Sequence, residues 1–211
     1  MKNIWIVLLL TLSNFLYSQP GFEKGEFITQ DDEKIEGLIS KSLYRYAPDY
    51  LIFKKSENAR KEKISTKNLK QFWVGDKKFI FAEVMIDRSA SSNNIPSLSK
   101  NPNFESKLEM QWLEVLLTGK LNLYKFYKNE VVRFFYQKES EQEIIPLNFK
   151  EYLVKDIYIM SNNEYKKQLR ELFSDSPDIN GYDIDKIPYR ESQMKKIFDI
   201  YNSNERISKE N

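Results

Sequence analysis

Apolar and polar residues alternate with a period of two through most of the chain, and short turn-forming clusters separate the runs. That is the pattern of antiparallel strands. The densest run is residues 108–136, LEMQWLEVLLTGKLNLYKFYKNEVVRFFY. Thr118-Gly119 and Lys128-Asn129-Glu130 interrupt it, which predicts a three-stranded meander at the centre of a sheet. Its first third also fits a helical face, because Leu108, Trp112, Val115 and Leu116 recur at i, i+4, i+7 and i+8. The next two segments, 122–127 and 131–136, carry aromatic residues on both faces, as central or covered strands do. Residues 108–117 are therefore read as a strand. Leu113, Val115, Leu117, Leu121 and Leu123 are expected to pack inward, with Trp112, Tyr124 and Phe126 on the opposite face.

Upstream, 22–29 and 34–43 flank the polar turn Gln30-Asp31-Asp32-Glu33 and predict a hairpin. Pro48 closes a connection at 44–49, YLIFK at 50–54 reads as a short strand, and the charged run 55–63 reads as a solvated loop or edge. A second hairpin pairs 71–74 with 79–86 around Gly75-Asp76-Lys77-Lys78. Residues 89–106 hold six Ser, four Asn and two Pro, a composition that marks a mobile surface loop. Downstream, 143–147 and 152–160 read as one strand each. The period then changes. Ser161-Asn162-Asn163-Glu164 has the form of a capping box, and Tyr165, Leu169, Leu172 and Phe173 follow at helical spacing. A second helix is expected over about 190–202, with Met194, Ile197, Phe198 and Tyr201 as its stripe. The fold class is α+β: one antiparallel β-rich domain over 19–202, of about eight to ten strands, followed by two C-terminal helices. A frayed tail is expected at 203–211.

The N-terminus changes the picture. Lys2 precedes the apolar run Ile4-Trp5-Ile6-Val7-Leu8-Leu9-Leu10-Thr11-Leu12, and a more polar stretch leads to the small residue Ser18. This order predicts a secretory signal over residues 1–18. The run falls short of the ~20 apolar residues of a spanning helix, and no other run reaches it, so no transmembrane segment is expected after cleavage. An exported location follows: periplasmic, outer-membrane-associated or secreted.

Composition then removes chemistry. The chain has no Cys and no His. That rules out disulfides, a thiolate nucleophile, a Ser-His-Asp triad and His- or Cys-ligated metal. A net charge of +2, with the signs interleaved, gives no field to gather nucleic acid. No cofactor and no metal is expected. Gly119-Lys120-Leu121 fails as a P-loop, which needs Ser or Thr at Leu121 and Gly at Glu114. Asp175, Asp178, Asn180, Asp183 and Asp185 surround Gly181, but the calcium register places Ser176 and Ile187 where acids are required, so turn chemistry explains them better. Glu114 is an acid inside the apolar centre, read as a residue on the solvent face or one paired with Lys120 or Lys125. Trp112, Tyr124 and Phe126 are the candidate ligand-binding residues, as a stacking platform weighed against plain core packing. No catalytic residue is assigned.

Several stretches resemble an uncharacterised family of exported bacterial envelope proteins. They are Gly37-Leu38-Ile39, Phe79-Ile80-Phe81-Ala82-Glu83-Val84, the run from Trp112 to Tyr124, and the helix from Tyr165 to Leu172 ahead of Ser176-Pro177. Members are similar to a region that often precedes an outer-membrane β-barrel. The resemblance implies an envelope location and a mixed, β-rich fold, and no reaction. The function expected is a non-catalytic envelope interaction module, binding a protein or cell-wall component through an aromatic face or a sheet edge. The alternative is a carboxylate-dependent enzyme acting on envelope glycans.

Overall fold

A computed structural model describes residues 21–41, 48–90, 92–176, 179 and 181–209. The signal segment at 1–18, most of the connection at 44–49, and Asp178 and Asn180 lie outside the described residues. Among the described residues, twelve strands and two helices make an α+β fold dominated by antiparallel sheet. The strands are β1 (Phe22–Thr29), β2 (Lys34–Ser40), β3 (Tyr50–Lys54), β4 (Glu62–Ser65), β5 (Leu69–Val74), β6 (Lys77–Ile86), β7 (Lys107–Leu117), β8 (Leu121–Lys128), β9 (Val131–Lys138), β10 (Ile145–Leu147), β11 (Lys150–Val154) and β12 (Tyr158–Asn162). The helices are α1 (Glu164–Leu172) and α2 (Glu191–Lys209). Ten strands form one sheet in the order β10-β9-β8-β7-β6-β5-β1-β2-β3-β4, and β11 and β12 form a separate hairpin.

That strand order forces a curl. Only the short turn Thr66–Asn68 joins β4 to β5, yet β1, β2 and β3 lie between them in the sheet. In a flat sheet they would stand four spacings apart, roughly 19 Å. Four Cα steps reach ~14 Å at most, and a 3-10 turn less. The strands β1 to β5 therefore roll toward closure. Thr66 ties this turn to the start of β3: its N–H donates to the Asp49 carbonyl and its hydroxyl donates to the Pro48 carbonyl at 2.8 Å. Gly25 and Gly37 face each other across β1 and β2. A Cβ at Gly25 would meet the Trp73 carbonyl at 2.6 Å, and one at Gly37 the Lys54 carbonyl at 2.5 Å, so only glycine lets the strands close in. Phe27, Ile39, Leu51, Phe53, Phe72, Phe79 and Trp112 fill this first core.

The second half rolls the opposite way. β10 returns toward β6, and the other sheet face becomes the inside, with Val84, Leu113, Tyr124, Phe126 and Phe135 buried there. The outer surface of β8 to β10 is then free to receive the helices. Leu121, Leu123 and Phe134 pack there against Tyr165, Leu169, Met194, Ile197 and Phe198. Asn202 fastens α2 to the sheet. Its side-chain amide donates to the Leu121 carbonyl at 2.9 Å and accepts from the Leu121 N–H at 3.0 Å, as a neighbouring strand would.

Most of the expected strands are present, and residues 108–117 are a strand, as read. The expected face division is wrong. Val115 lies opposite Tyr124, and the register shifts between Val115 and Leu117. This bulge reverses the alternation. Leu113 and Val115 therefore share the inner face with Tyr124 and Phe126, while Leu117, Leu121 and Leu123 face the helices. Trp112 shares neither core with them. Residues 152–160 are not one strand, because Lys155 and Asp156 adopt left-handed φ angles of 53° and 60° and fold the segment into the β11–β12 hairpin. The capping box is also absent: Ser161 and Asn162 belong to β12, and Asn163 caps α1 without a side-chain hydrogen bond. Helix α2 runs to Lys209, so 203–209 are helical rather than frayed.

Residues 89–106 carry a 3-10 turn, Ser92–Ser97, and are tied to the body by buried charge. Arg133 donates to the Asp87 and Ser89 carbonyls at 2.8 and 2.7 Å. The Asp87 carboxylate accepts from the N–H groups of Ser89 and Glu105. The ammonium of Lys150, wholly buried, donates to the Asn103 carbonyl at 2.7 Å. Burial pushes the Asp87 carboxyl up, but these hydrogen bonds and Lys150 outweigh it and hold it below its ordinary value.

Candidate functional site

Alternation along β8 puts Lys125 and Tyr127 on the same outer face as Leu121 and Leu123. The ladder then fixes their neighbours. Glu114 lies opposite Lys125 on β7, Phe134 opposite Lys125 on β9, and Val132 opposite Tyr127. Lys77 reaches the same point from the start of β6. The result is a chain of charges: Lys77 to Glu114 at 2.7 Å, Glu114 to Lys125 at 2.5 Å, and Lys125 to Glu191 at 2.9 Å. Glu191 stands in the first turn of α2, where the helix dipole favours an acid.

These groups are mostly withdrawn from water, with 12% of the Glu114 side chain and 16% of the Lys125 side chain exposed. Burial pushes the Glu114 carboxyl up, but hydrogen bonds from Lys125 and Lys77 win and hold it below its usual range. Burial likewise pushes Lys125 down, and its bonds to Glu114 and Glu191 raise it above the ordinary lysine value. Both shifts favour the charged forms of Glu114 and Lys125, so the pair at the centre of the network acts as fixed charge rather than as a proton donor.

A cleft of about 600 Å³ opens over this network. Tyr127, Val132, Phe134 and Tyr189 form its walls, Lys77 and Lys125 its floor, and Arg190 and Glu191 its rim. A second cleft of about 460 Å³ adjoins it, sharing Val132, Tyr189 and Arg190 and adding Lys166 and Asn163. The Arg190 guanidinium has no partner among the described residues. Tyr189 sets the shape of both clefts. Its hydroxyl accepts from the Phe134 N–H at 2.8 Å and donates to the Leu147 carbonyl at 2.8 Å. Phe134 and Leu147 are register partners on β9 and β10, so the hydroxyl stands in for a rung of the ladder. The ring stacks on Phe149 at 4.5 Å.

No known family, curated protein or solved structure matches the chain. The clefts and the charge network therefore have to be interpreted from their own residues.

Trp112, Tyr124 and Phe126 are all buried, Trp112 in the first core and the other two inside the second. They form no common surface. Phe72 and Phe81 flank Trp112 at 4.9 and 5.1 Å between ring centres, and the Tyr124 hydroxyl donates to Gln137 at 2.6 Å. Of the acids around Gly181 that are described, Asp185 pairs with Arg170 at 2.7 Å, and Asp183 pairs with Lys186 and accepts from the Asp185 N–H. No group of three or more acids converges on a metal position among the described residues. No helix among the described residues is long and apolar enough to cross a membrane. Glu114 does pair with Lys125, but its second partner is Lys77 rather than Lys120. Nothing in the sequence singled out Lys77, Tyr189 or Arg190. The only signal for Lys77 was its place at the foot of a hairpin.

Proposed function

We propose that this protein is an exported, non-catalytic binding module of the bacterial cell envelope, and that the cleft beside Tyr189 takes a cell-wall component. The observation that carries the reading is the cleft itself: aromatic walls over a floor of charges that neutralise one another. Aromatic walls suit stacking against apolar faces of a ligand, and a few fixed polar groups orient it. A glycan-cleaving enzyme needs one carboxyl kept protonated as a general acid. Glu114 is held in the opposite state by two ammonium groups. Export is supported by the order of Lys2, the apolar run at 4–12 and Ser18.

Sedimentation with purified cell-wall sacculi tests the binding. The protein is expected in the pellet, with Tyr127→Ala and Arg190→Ala left in the supernatant. A protein that stays soluble overturns the cell-wall reading. The intact mass of protein recovered from the envelope fraction is expected to lack residues 1–18. A chain that stays in the cytoplasm and carries Met1 overturns the location.

A further inference from the structure

The charges of the two adjoining clefts can be set one against another. In the first, Lys77 and Lys125 stand against Glu114 and Glu191. In the second, Arg133 and Lys166 stand against Glu130 and Glu151. Arg190 lines both clefts and is the charge left over. Its guanidinium has no partner among the described residues. A planar cation with a fork of N–H donors, free at the mouth of an aromatic cleft, is complementary to a carboxylate, which accepts from two of those donors side by side.

The head of Arg190 is free, but its base is fixed. Its N–H donates to the Pro188 carbonyl at 2.8 Å, and its carbonyl accepts from the N–H groups of Gln193 and Met194 at 3.1 and 3.0 Å. The residue before it, Tyr189, is held by its hydroxyl to β9 and β10. Binding at this point has only a side chain left to order, not a loop. The linings on either side of Arg190 differ. Tyr127, Val132 and Phe134 give the first cleft an apolar wall, whereas Asn163, Lys166 and Glu130 make the second polar. A ligand that fills both carries an apolar part, an acid between, and hydrogen-bonding groups beyond it, as a short peptide does.

We infer, resting on the reading of these clefts as a cell-wall site, that the part of the wall they recognise is the peptide rather than the glycan, and that Arg190 holds one of the peptide's carboxylates. The N-acetylated sugars of an assembled wall are uncharged, and their lactyl carboxyl groups are consumed in the amide bonds to the peptide. The free carboxylates therefore belong to the peptide. One unmatched guanidinium and one carboxylate leave no net charge at the site.

Pelleting of the purified protein with untreated sacculi, set beside sacculi whose carboxyl groups have been amidated with carbodiimide and ammonium chloride, tests the inference. Affinity is expected to fall about tenfold or more on amidation, the loss of one charge-assisted pair. Arg190→Gln should lose as much on untreated sacculi, lose little further on amidated ones, and unfold at the same temperature as the unaltered chain. Lys55→Gln removes another exposed positive charge, just after β3, and should bind as the unaltered chain does. Equal binding to both kinds of sacculi overturns the inference and leaves the cell-wall reading standing. So does an Arg190→Gln variant as sensitive to amidation as the unaltered chain, or a Lys55→Gln variant that loses as much as Arg190→Gln, because the attraction is then diffuse. Failure to bind untreated sacculi overturns the cell-wall reading and the inference with it.

Discussion

Replacing Tyr189 by Phe removes one oxygen atom from the place where it substitutes for a rung between β9 and β10. The ring loses little, since its contacts with Phe149, Phe134 and Tyr165, at 4.5, 4.9 and 5.0 Å, do not involve the hydroxyl. What changes is the bonding of two main-chain groups. The Phe134 N–H and the Leu147 carbonyl both belong to buried residues, and each loses its partner. An unpaired buried backbone group costs ~1–3 kcal/mol. Partial closure of the β9–β10 gap would recover some of this, so the expected loss is ~2–4 kcal/mol. For a chain of this length that lowers the melting temperature by ~5–15 °C. Urea unfolding followed by tryptophan fluorescence gives the stability, and hydrogen exchange at the Phe134 amide gives the local effect. A loss under ~0.5 kcal/mol with an unchanged denaturant slope would refute the reasoning, because it would mean that the two strands bond directly once the oxygen is gone.

Asn202→Ala should cost ~2–4 kcal/mol in the same assay, since it strips both Leu121 main-chain groups of their partner; a neutral substitution would mean that α2 is held by packing alone. Burial raises the Tyr165 phenol to about 12 and Tyr189 further still. A raised tyrosine contributes stability that is full below its unfolded value of ~10 and lost as pH climbs through the folded value. Phenolate absorbance should therefore show these two ionising only as the protein unfolds, and their ionisation in the native protein would contradict the burial. Glu114 has the opposite sign. Its depressed value contributes stability above ~4.3 that is lost as pH falls further, and Glu114→Gln should flatten the acid limb of the unfolding curve.

Strand positions were largely legible, because alternation and turn residues are local signals. Asn129-Glu130, with both φ angles left-handed, gives the two-residue hairpin turn that the sequence suggested. The failures share a cause. The bulge after Val115 depends on how β7 meets β8, and no residue in 108–117 announces it. Lys155-Asp156 lacks the Gly that normally marks such a turn, so β11 and β12 read as a single strand. The curl of β1 to β5 was encoded in the brevity of the link at 66–68, but it shows only once β5 is known to pair with β1. Of the cleft, only Glu114 and its antiparallel partner Lys125 were within reach, as opposite charges in adjacent strands. Tyr189 comes to β9 from a loop 55 residues further along the chain, and tertiary placement of that kind leaves no periodic trace.

Because the sheet rolls one way and then the other, β6 and β7 serve as a wall for both cores. Phe79 and Trp112 look into one, and the next residue along each strand, Ile80 and Leu113, looks into the other. If either roll opened alone, one side of this wall would be left bare to water while the other stayed dry. The half that remained would then have to hold a sheet with an uncovered aromatic face. Neither half is thus an independent unit of unfolding, and heat or urea should take the described fold apart in one cooperative step. Consecutive residues on β7 should then report the same midpoint from opposite sides of one peptide bond.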